Sequence, residues 1–136
     1  MSKFSDYLEE QILDATLKSG TFPTIGTVYL ATFTSDPTDA GSGTESTWNA
    51  NSIAYARQAM AFGAISTSGT GKEAASSTQI QFPAFQGSSH VVTHIGIFDA
   101  ATGGNMLYHT NLATSKTLTQ DDVLSFAING VTVTLD

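Results

Sequence analysis

Three histidines, His90, His94 and His109, are the only imidazole side chains in the sequence, and all lie in or beside one predicted hairpin. On a strand, His90 and His94 would stand roughly 13 Å apart, too far to share one ion. If Asp99 pairs with Gly104, the register places His94 opposite His109 with β-carbons about 5 Å apart, close enough to share Zn²⁺ or Ni²⁺. No third ligand accompanies this candidate metal pair. The pattern therefore favours two partly buried, hydrogen-bonded histidines, and we expect no cofactor.

The other side chains that could bind a metal or take part in catalysis also lack the spacing of a functional site. Asp36, Asp39 and Glu45 could offer oxygen ligands to Ca²⁺, but they lack the alternating carboxylates of an EF-hand and Pro37 interrupts them. A solvated loop is the simpler interpretation. No G-x-S-x-G elbow is present, and the segment 69–72, GTGK, does not satisfy the phosphate-loop pattern. We therefore expect a protein that is not an enzyme.

The hairpin that carries the histidines is the strongest structural signal. Residues 90–98 alternate as a strand with both faces largely apolar, which predicts a central strand in a sheet packed on both sides. The segment 99–104, DAATGG, supplies a turn, because Asp99 can bond its own backbone and the two glycines accept positive φ. The return strand begins at Met106.

The segment 4–18 is the one predicted helix. Its main apolar stripe is expected to pack on the rest of the chain. Leu13 and Leu17 lie almost opposite that stripe and need a cover, either the loop around residues 22–24 or another subunit. They are therefore candidate interface residues.

The rest of the chain predicts short strands separated by polar segments. Turn signals recur about every ten residues in the second half, and Asn129-Gly130 predicts a tight turn that joins the last two strands in a hairpin. The pattern predicts a mainly β protein, an antiparallel β-sandwich or jelly-roll-like fold with about eight strands and one N-terminal helix. We expect one domain over residues 1–136, with the helix in 1–20 and the sandwich in 26–136. The predicted strands are 26–34, 53–62, 78–82, 90–98, 106–108, 116–118, 123–128 and 131–136.

A long polar segment, residues 35–52, contains the only tryptophan, Trp48. Loops of this length are usually functional or mobile. Trp48, Tyr55 and Arg57 belong to residue types that are enriched at protein interfaces. We predict Trp48 as an anchor against a neighbouring protein, with a tryptophan folded back over the sandwich edge as the alternative.

Composition restricts the partners. Five basic residues against twelve acidic ones give a net charge of −7, which argues against binding of nucleic acid through its phosphates. Only 12% of residues are charged, so the surface can dock on neighbours without desolvating many charges. The absence of cysteine fits assembly in a reducing cytosol. No apolar run is long enough for a membrane span, and we expect neither export nor a membrane partner.

A family resemblance is carried by four segments, FSDYLEEQILDATL, ATFTSDPTDAG, AYARQAMAFG and THIGIFDAATGGNMLYH. They are similar to a group of small tailed-bacteriophage virion structural proteins, the tail-fibre-like and head-decoration proteins, and the likeness extends from Phe4 to Asp136. The resemblance implies a component of the virion, assembled in the host cytoplasm, whose partners are other virion proteins. It also implies many copies, and we expect a homo-oligomer, either a trimer or a dimer.

Two positions on the virion compete. A capsid decoration or cement protein would dock on the major capsid protein and stabilise the head lattice. A tail or tail-fibre-associated module would bind fibre proteins or the host surface. We place capsid decoration first, because the chain is short and lacks internal repeats, and keep the tail or fibre module, which the usual names in the family favour, as the alternative. A free carbohydrate-binding jelly roll, using Trp48 and Tyr108, ranks third.

Overall fold

The computed structural model describes residues 3–136, which form twelve strands and one helix. Adjacent strands pair antiparallel throughout these residues, and the fold is sandwich-like with an N-terminal helix, which confirms the predicted class. The elements are β1 (Lys3–Phe4), α1 (Asp6–Leu17), β2 (Val28–Phe33), β3 (Asn49–Ala50), β4 (Ile53–Ala54), β5 (Gln58–Met60), β6 (Ser66–Ser68), β7 (Gly71–Ala75), β8 (Ile80–Gln81), β9 (His90–Phe98), β10 (Met106–Leu118), β11 (Ser125–Phe126) and β12 (Thr132–Leu135).

The largest sheet has five strands in the order β1-β10-β9-β2-β5. β9 lies at its centre and has the bounds that the alternation predicts. One face of this sheet packs on the three-stranded sheet β12-β7-β6 and the pair β11-β8, forming the main core. The opposite face carries a second, smaller apolar cluster of Ala31, Phe33, Phe98 and Met106, in which the two phenylalanine rings stack. Both faces of β9 are therefore covered over residues 95–98, as predicted, whereas Val91 near the start of the strand is 41% exposed.

α1 begins at its N-cap Ser5, which is buried against β10. The Ser5 hydroxyl accepts the Leu8 N–H at 3.2 Å and donates to the Met106 carbonyl. Leu8, only 2% exposed, is the buried anchor of the helix. The helix ends where Ser19 takes a φ of 61° and the Gly20 N–H bonds the Asp14 carbonyl at 3.0 Å. These contacts fix the side of α1 that faces the sheet.

Three strand predictions are wrong in detail. The break predicted at residues 111–115 does not end the strand: β10 continues to Leu118, with a register shift between Asn111 and Lys116. The single strand predicted at 53–62 is divided into β4 and β5. The polar segment 63–77, for which no strand was predicted, contains the β6–β7 hairpin, which turns at Gly69 with a φ of 60°. Twelve strands replace the predicted eight because several are only two or three residues long.

The predicted C-terminal hairpin is also wrong. A tight turn does form, with Asn129 at a φ of 62° and the Gly130 N–H donating to the Ala127 carbonyl at 2.8 Å. The flanking strands nevertheless separate: β11 pairs with β8 and β12 pairs with β7. Val131, 4% exposed, lies in the main core and exchanges hydrogen bonds with Ser76. Burial in the core and bonding to Ser76 thus place the chain end on β7.

Candidate functional site

The two candidate metal ligands are not paired across the hairpin. His94 lies opposite Asn111, and His109 lies opposite Gly96. The turn is one residue longer than predicted, since the Asp99 N–H bonds the Asn105 carbonyl, and the register shifts by one more residue between Met106 and Tyr108. The predicted opposition of His94 and His109 is therefore wrong. The sequence analysis missed both the longer turn and the bulge at the start of the return strand, and no residue type indicates either.

Both histidines nevertheless approach the same carboxylate. Nε2 of His94 and Nδ1 of His109 each lie 3.9 Å from an oxygen of Asp36, too far for a hydrogen bond. The other ring nitrogens are engaged: His109 Nε2 contacts Asp39 Oδ1 at 2.8 Å, and His94 Nδ1 contacts the Thr93 hydroxyl at 2.8 Å. The loop that holds Asp36 and Asp39 is thus held over the second face of the large sheet.

The Asp36 carboxyl group has its pKa lowered, first by the hydrogen bond from the Thr38 N–H at 2.9 Å. Partial desolvation opposes this effect, and the nearby charges of His94, His109 and Lys3 add to the lowering. The site therefore favours a charged carboxylate. Within residues 3–136, no group of three or more histidine, cysteine or acidic side chains is placed to hold a metal ion. We interpret the cluster as a fastening between loop and sheet.

Trp48 lies in the main core and not on the surface. It is 7% exposed and packs edge-on against Tyr55, Phe85 and His90, with ring centroids 5.0 to 5.5 Å apart. Its carbonyl accepts the Tyr55 N–H at 2.9 Å. The prediction of an exposed anchor is therefore wrong, and the alternative of a tryptophan folded over the sandwich edge describes the structure. The residues next to Trp48 in the sequence are polar and do not indicate this aromatic cluster, because its other members come from distant parts of the chain.

Arg57 likewise makes its contacts within the domain. Its guanidinium makes a two-pronged ion pair with Glu45, at 2.9 and 2.8 Å, and donates to the carbonyls of Ala100 and Gly103, at 3.0 and 2.7 Å. The same group lies 3.6 Å above the ring of Phe98. This arrangement, which we call the arginine clamp, joins the segment 45–48 to the β9–β10 turn. The contacts of Arg57 within the domain therefore do not support its predicted role at an exposed interface.

Tyr55 supports the same clamp. Its hydroxyl donates to Glu45 at 3.1 Å and accepts the Thr32 N–H at 3.0 Å. Burial raises the pKa of this hydroxyl, so the group keeps its proton and remains a donor. Tyr55 and Arg57 therefore stabilise the fold from the connection between β4 and β5. The interface role predicted for them is not supported by exposure.

The predicted helix face is different, because the structure leaves it open. Leu13 is 56% exposed and Leu17 is 76% exposed, so the loop around residues 22–24 does not cover them. Phe22, in that loop, is itself 42% exposed. Among the sequence candidates for an interface, Leu13 and Leu17 alone are presented to solvent.

The sequence analysis did not identify the acidic residues that lie beside these leucines on α1. Asp6, Glu9, Glu10 and Asp14 are all on α1, which has no basic residue in its last turn. At 100° per residue, the four carboxylates and both leucines fall within an arc of about 140°, centred opposite Leu8. The spacing alone could have revealed this. We call this arc, with its two leucines and four carboxylates, the outer face of α1.

No helix among residues 3–136 has the length and apolar character needed to cross a membrane. A search of curated proteins gives no match to the chain. The family model described as Podophage GP4 fiber I protein gp80 matches residues 3–134, nearly the whole chain. The chain therefore belongs to this family of phage fibre proteins and has a structural role in the virion.

Proposed function

We propose that this protein is a non-enzymatic structural module of the phage fibre, which docks as one folded domain on other virion proteins. The observation that carries the proposal is the outer face of α1, where Leu13 and Leu17 project from a helix anchored by Leu8. Large apolar side chains exposed together are typical of an interaction surface. The candidate side chains that could do chemistry, by contrast, form contacts within the domain, as in the arginine clamp.

The family description favours the fibre over the capsid. Capsid decoration, the role favoured by the short chain, would require docking on a head lattice, and it remains the competing assignment. Either role uses the same kind of surface, because both need a rigid module with an exposed patch. The description of the family as a fibre protein is the reason to place the fibre first.

Self-association is the second part of the proposal. In a fibre, copies of one chain are related by symmetry, and a dimer or a trimer would have such symmetry. A stretch of β10 beyond the residues that pair with β1 supports this expectation. Ala113 to Thr117 are all exposed along the same strand. Sedimentation equilibrium across a range of protein concentrations tests the oligomeric state.

The location is tested by mixing the purified protein with tails and, separately, with expanded empty heads of the same phage. Bound copies are counted by sedimentation and gel densitometry. We expect binding to tails at a few copies per particle. Saturation at hundreds of copies per head would assign decoration instead, and binding to neither particle would refute the proposed role.

A further inference from the structure

We propose that the outer face of α1 binds a basic virion protein, one that presents an apolar groove flanked by lysine or arginine side chains. This inference rests on the proposed function and adds the chemistry of the partner. Its starting point is that Leu13 and Leu17 are four residues apart, on one side of the helix, and more than half exposed. Helices that bind in grooves use anchors at this spacing.

Within Asp6–Leu17 the charges around these anchors are all acidic, while the exposed Lys18 at the C-cap directly follows Leu17. Asp6, Glu9 and Glu10 are exposed, and Asp14 is partly exposed. Within the described part of the chain, none of these four carboxylates forms an ion pair. A partner of the opposite charge would therefore gain attraction along the acidic residues of the helix and be guided to the apolar anchors during encounter.

The spacing of these acidic residues works against the helix itself. Asp6, Glu10 and Asp14 follow one another at intervals of four, and like charges at this spacing destabilise an α-helix. Asp6 and Glu9, in the first turn, gain from the helix dipole, but Asp14 in the last turn does not. A charge pattern that costs the free protein stability is accounted for if a basic partner neutralises it.

A second copy of this chain does not fit the same face. Two copies meeting along α1 would bring eight carboxylates together, in a protein whose net charge is already −7. The helix is about 18 Å long and about 10 Å wide, so its outward half offers on the order of 300 Å². A standard interface buries about 800 Å² per partner. Self-association is therefore expected elsewhere, whereas a groove can extend past the helix onto neighbouring residues.

The test compares binding to purified tails across salt concentrations, from roughly 50 mM to roughly 500 mM NaCl, where screening of exposed charges changes most. Wild-type binding should weaken as salt rises. Leu13→Ala with Leu17→Ala should weaken it at least about tenfold, because each buried leucine contributes more than a tenfold change requires. The matched control is Ile65→Ala with Ile128→Ala, which removes two similarly exposed residues (67% and 59%) outside the helix.

The charge arm uses Glu10→Gln with Asp14→Asn. We expect weaker binding and a shallower salt dependence, together with an unchanged or higher melting temperature, since the like-charge pair is gone. If these carboxylates had only a structural role, the variant would not lose binding while keeping or raising its melting temperature. Glu73→Gln with Asp136→Asn removes equal charge from the region of the small sheet and should leave binding unchanged.

The outcomes separate this inference from the proposed function. Tail binding that survives the helix variants would overturn the basic-partner inference and leave the fibre assignment standing. Binding that strengthens with salt, with self-association lost in the leucine variant, would identify a second copy as the occupant and also overturn it. Wild-type protein that binds neither tails nor heads would refute the proposed function itself.

Discussion

Replacing Arg57 with alanine should destabilise the protein by about 3 kcal/mol, because it opens the arginine clamp. The change removes two hydrogen bonds to Glu45 and two to backbone carbonyls. Breaking a buried ion pair costs about 3–5 kcal/mol. The lower end applies here, since the Glu45 side chain is 27% exposed and keeps its hydrogen bond from Tyr55. Such a loss is a large share of the roughly 5–15 kcal/mol that stabilises a typical protein.

Arg57→Lys provides the matched control. Lysine keeps the positive charge but cannot form two parallel bonds to Glu45 while also reaching the turn carbonyls. We expect a loss of about 1–2 kcal/mol, between wild type and alanine. Urea unfolding followed by the fluorescence of Trp48, the only tryptophan, measures both values.

The reasoning would be refuted if Arg57→Ala lowered the free energy of unfolding by less than about 1 kcal/mol, well below the cost of a broken buried pair. If that variant instead kept its stability and lost binding to tails, Arg57 would be an interface residue, as its residue type suggests. A lysine variant as stable as wild type would show that the positive charge suffices and that the fork geometry does not matter.

Three further predictions concern the core, a histidine and the central turn. Trp48→Ala should lower the free energy of unfolding by about 3–5 kcal/mol, measured by circular dichroism, and a change below about 1 kcal/mol would contradict its place in the core. Burial lowers the pKa of His90, so the folded protein should lose stability as pH falls below about 6.5, where the unfolded histidine takes up a proton. The urea midpoint should therefore drop between about pH 8 and about pH 5, and drop less in His90→Gln; an identical drop in both would exclude His90 as a cause. Gly104→Ala should destabilise more than Gly103→Ala by thermal melting: both residues have positive φ, but only at Gly104 would a Cβ meet the Asp99 carboxylate. Equal melting temperatures would contradict that steric reasoning.

The central hairpin could be predicted because its information is local. Residues 90–98 alternate with both faces apolar, and the turn that follows combines Asp99 with two glycines. In the structure, Asp99 accepts the Asn105 N–H at 2.7 Å, and Gly104 has a φ of 68°. The placement of Leu13 and Leu17 on the side of α1 opposite Leu8 was also local information, since it follows from helical spacing. Their exposure was not, because it depends on where the loop around residues 22–24 lies.

The strand partners at the C-terminus could not be predicted in this way. The Asn129-Gly130 turn indicates a reversal, and the reversal occurs, but a turn does not determine which strands pair beyond it. Val131 and Val133 are buried at 4% and 8% exposure, and β12 pairs with β7. The pairing depends on the main core, whose members are spread along the chain.

The interface candidates show a further limit. Aromatic residues and arginine are typical of interfaces, but the same types build buried clusters, so residue type does not distinguish the two. Arg57 donates to the carbonyl of Gly103, 46 residues away, and Trp48 packs against His90. Both contacts exist only after distant segments meet, and no local spacing reveals them.

The attachment of α1 to β10 makes the helix depend on a distant part of the chain. Ser5 is bonded to Met106, 101 residues later, and β1 pairs with the same stretch of β10. An isolated helix of twelve residues is marginal in water, so α1 gains its support only after β10 has left the ribosome. Nascent or truncated chains therefore lack a firmly held outer face. If the outer face of α1 binds a partner as proposed, a chain interrupted before β10 should bind that partner poorly.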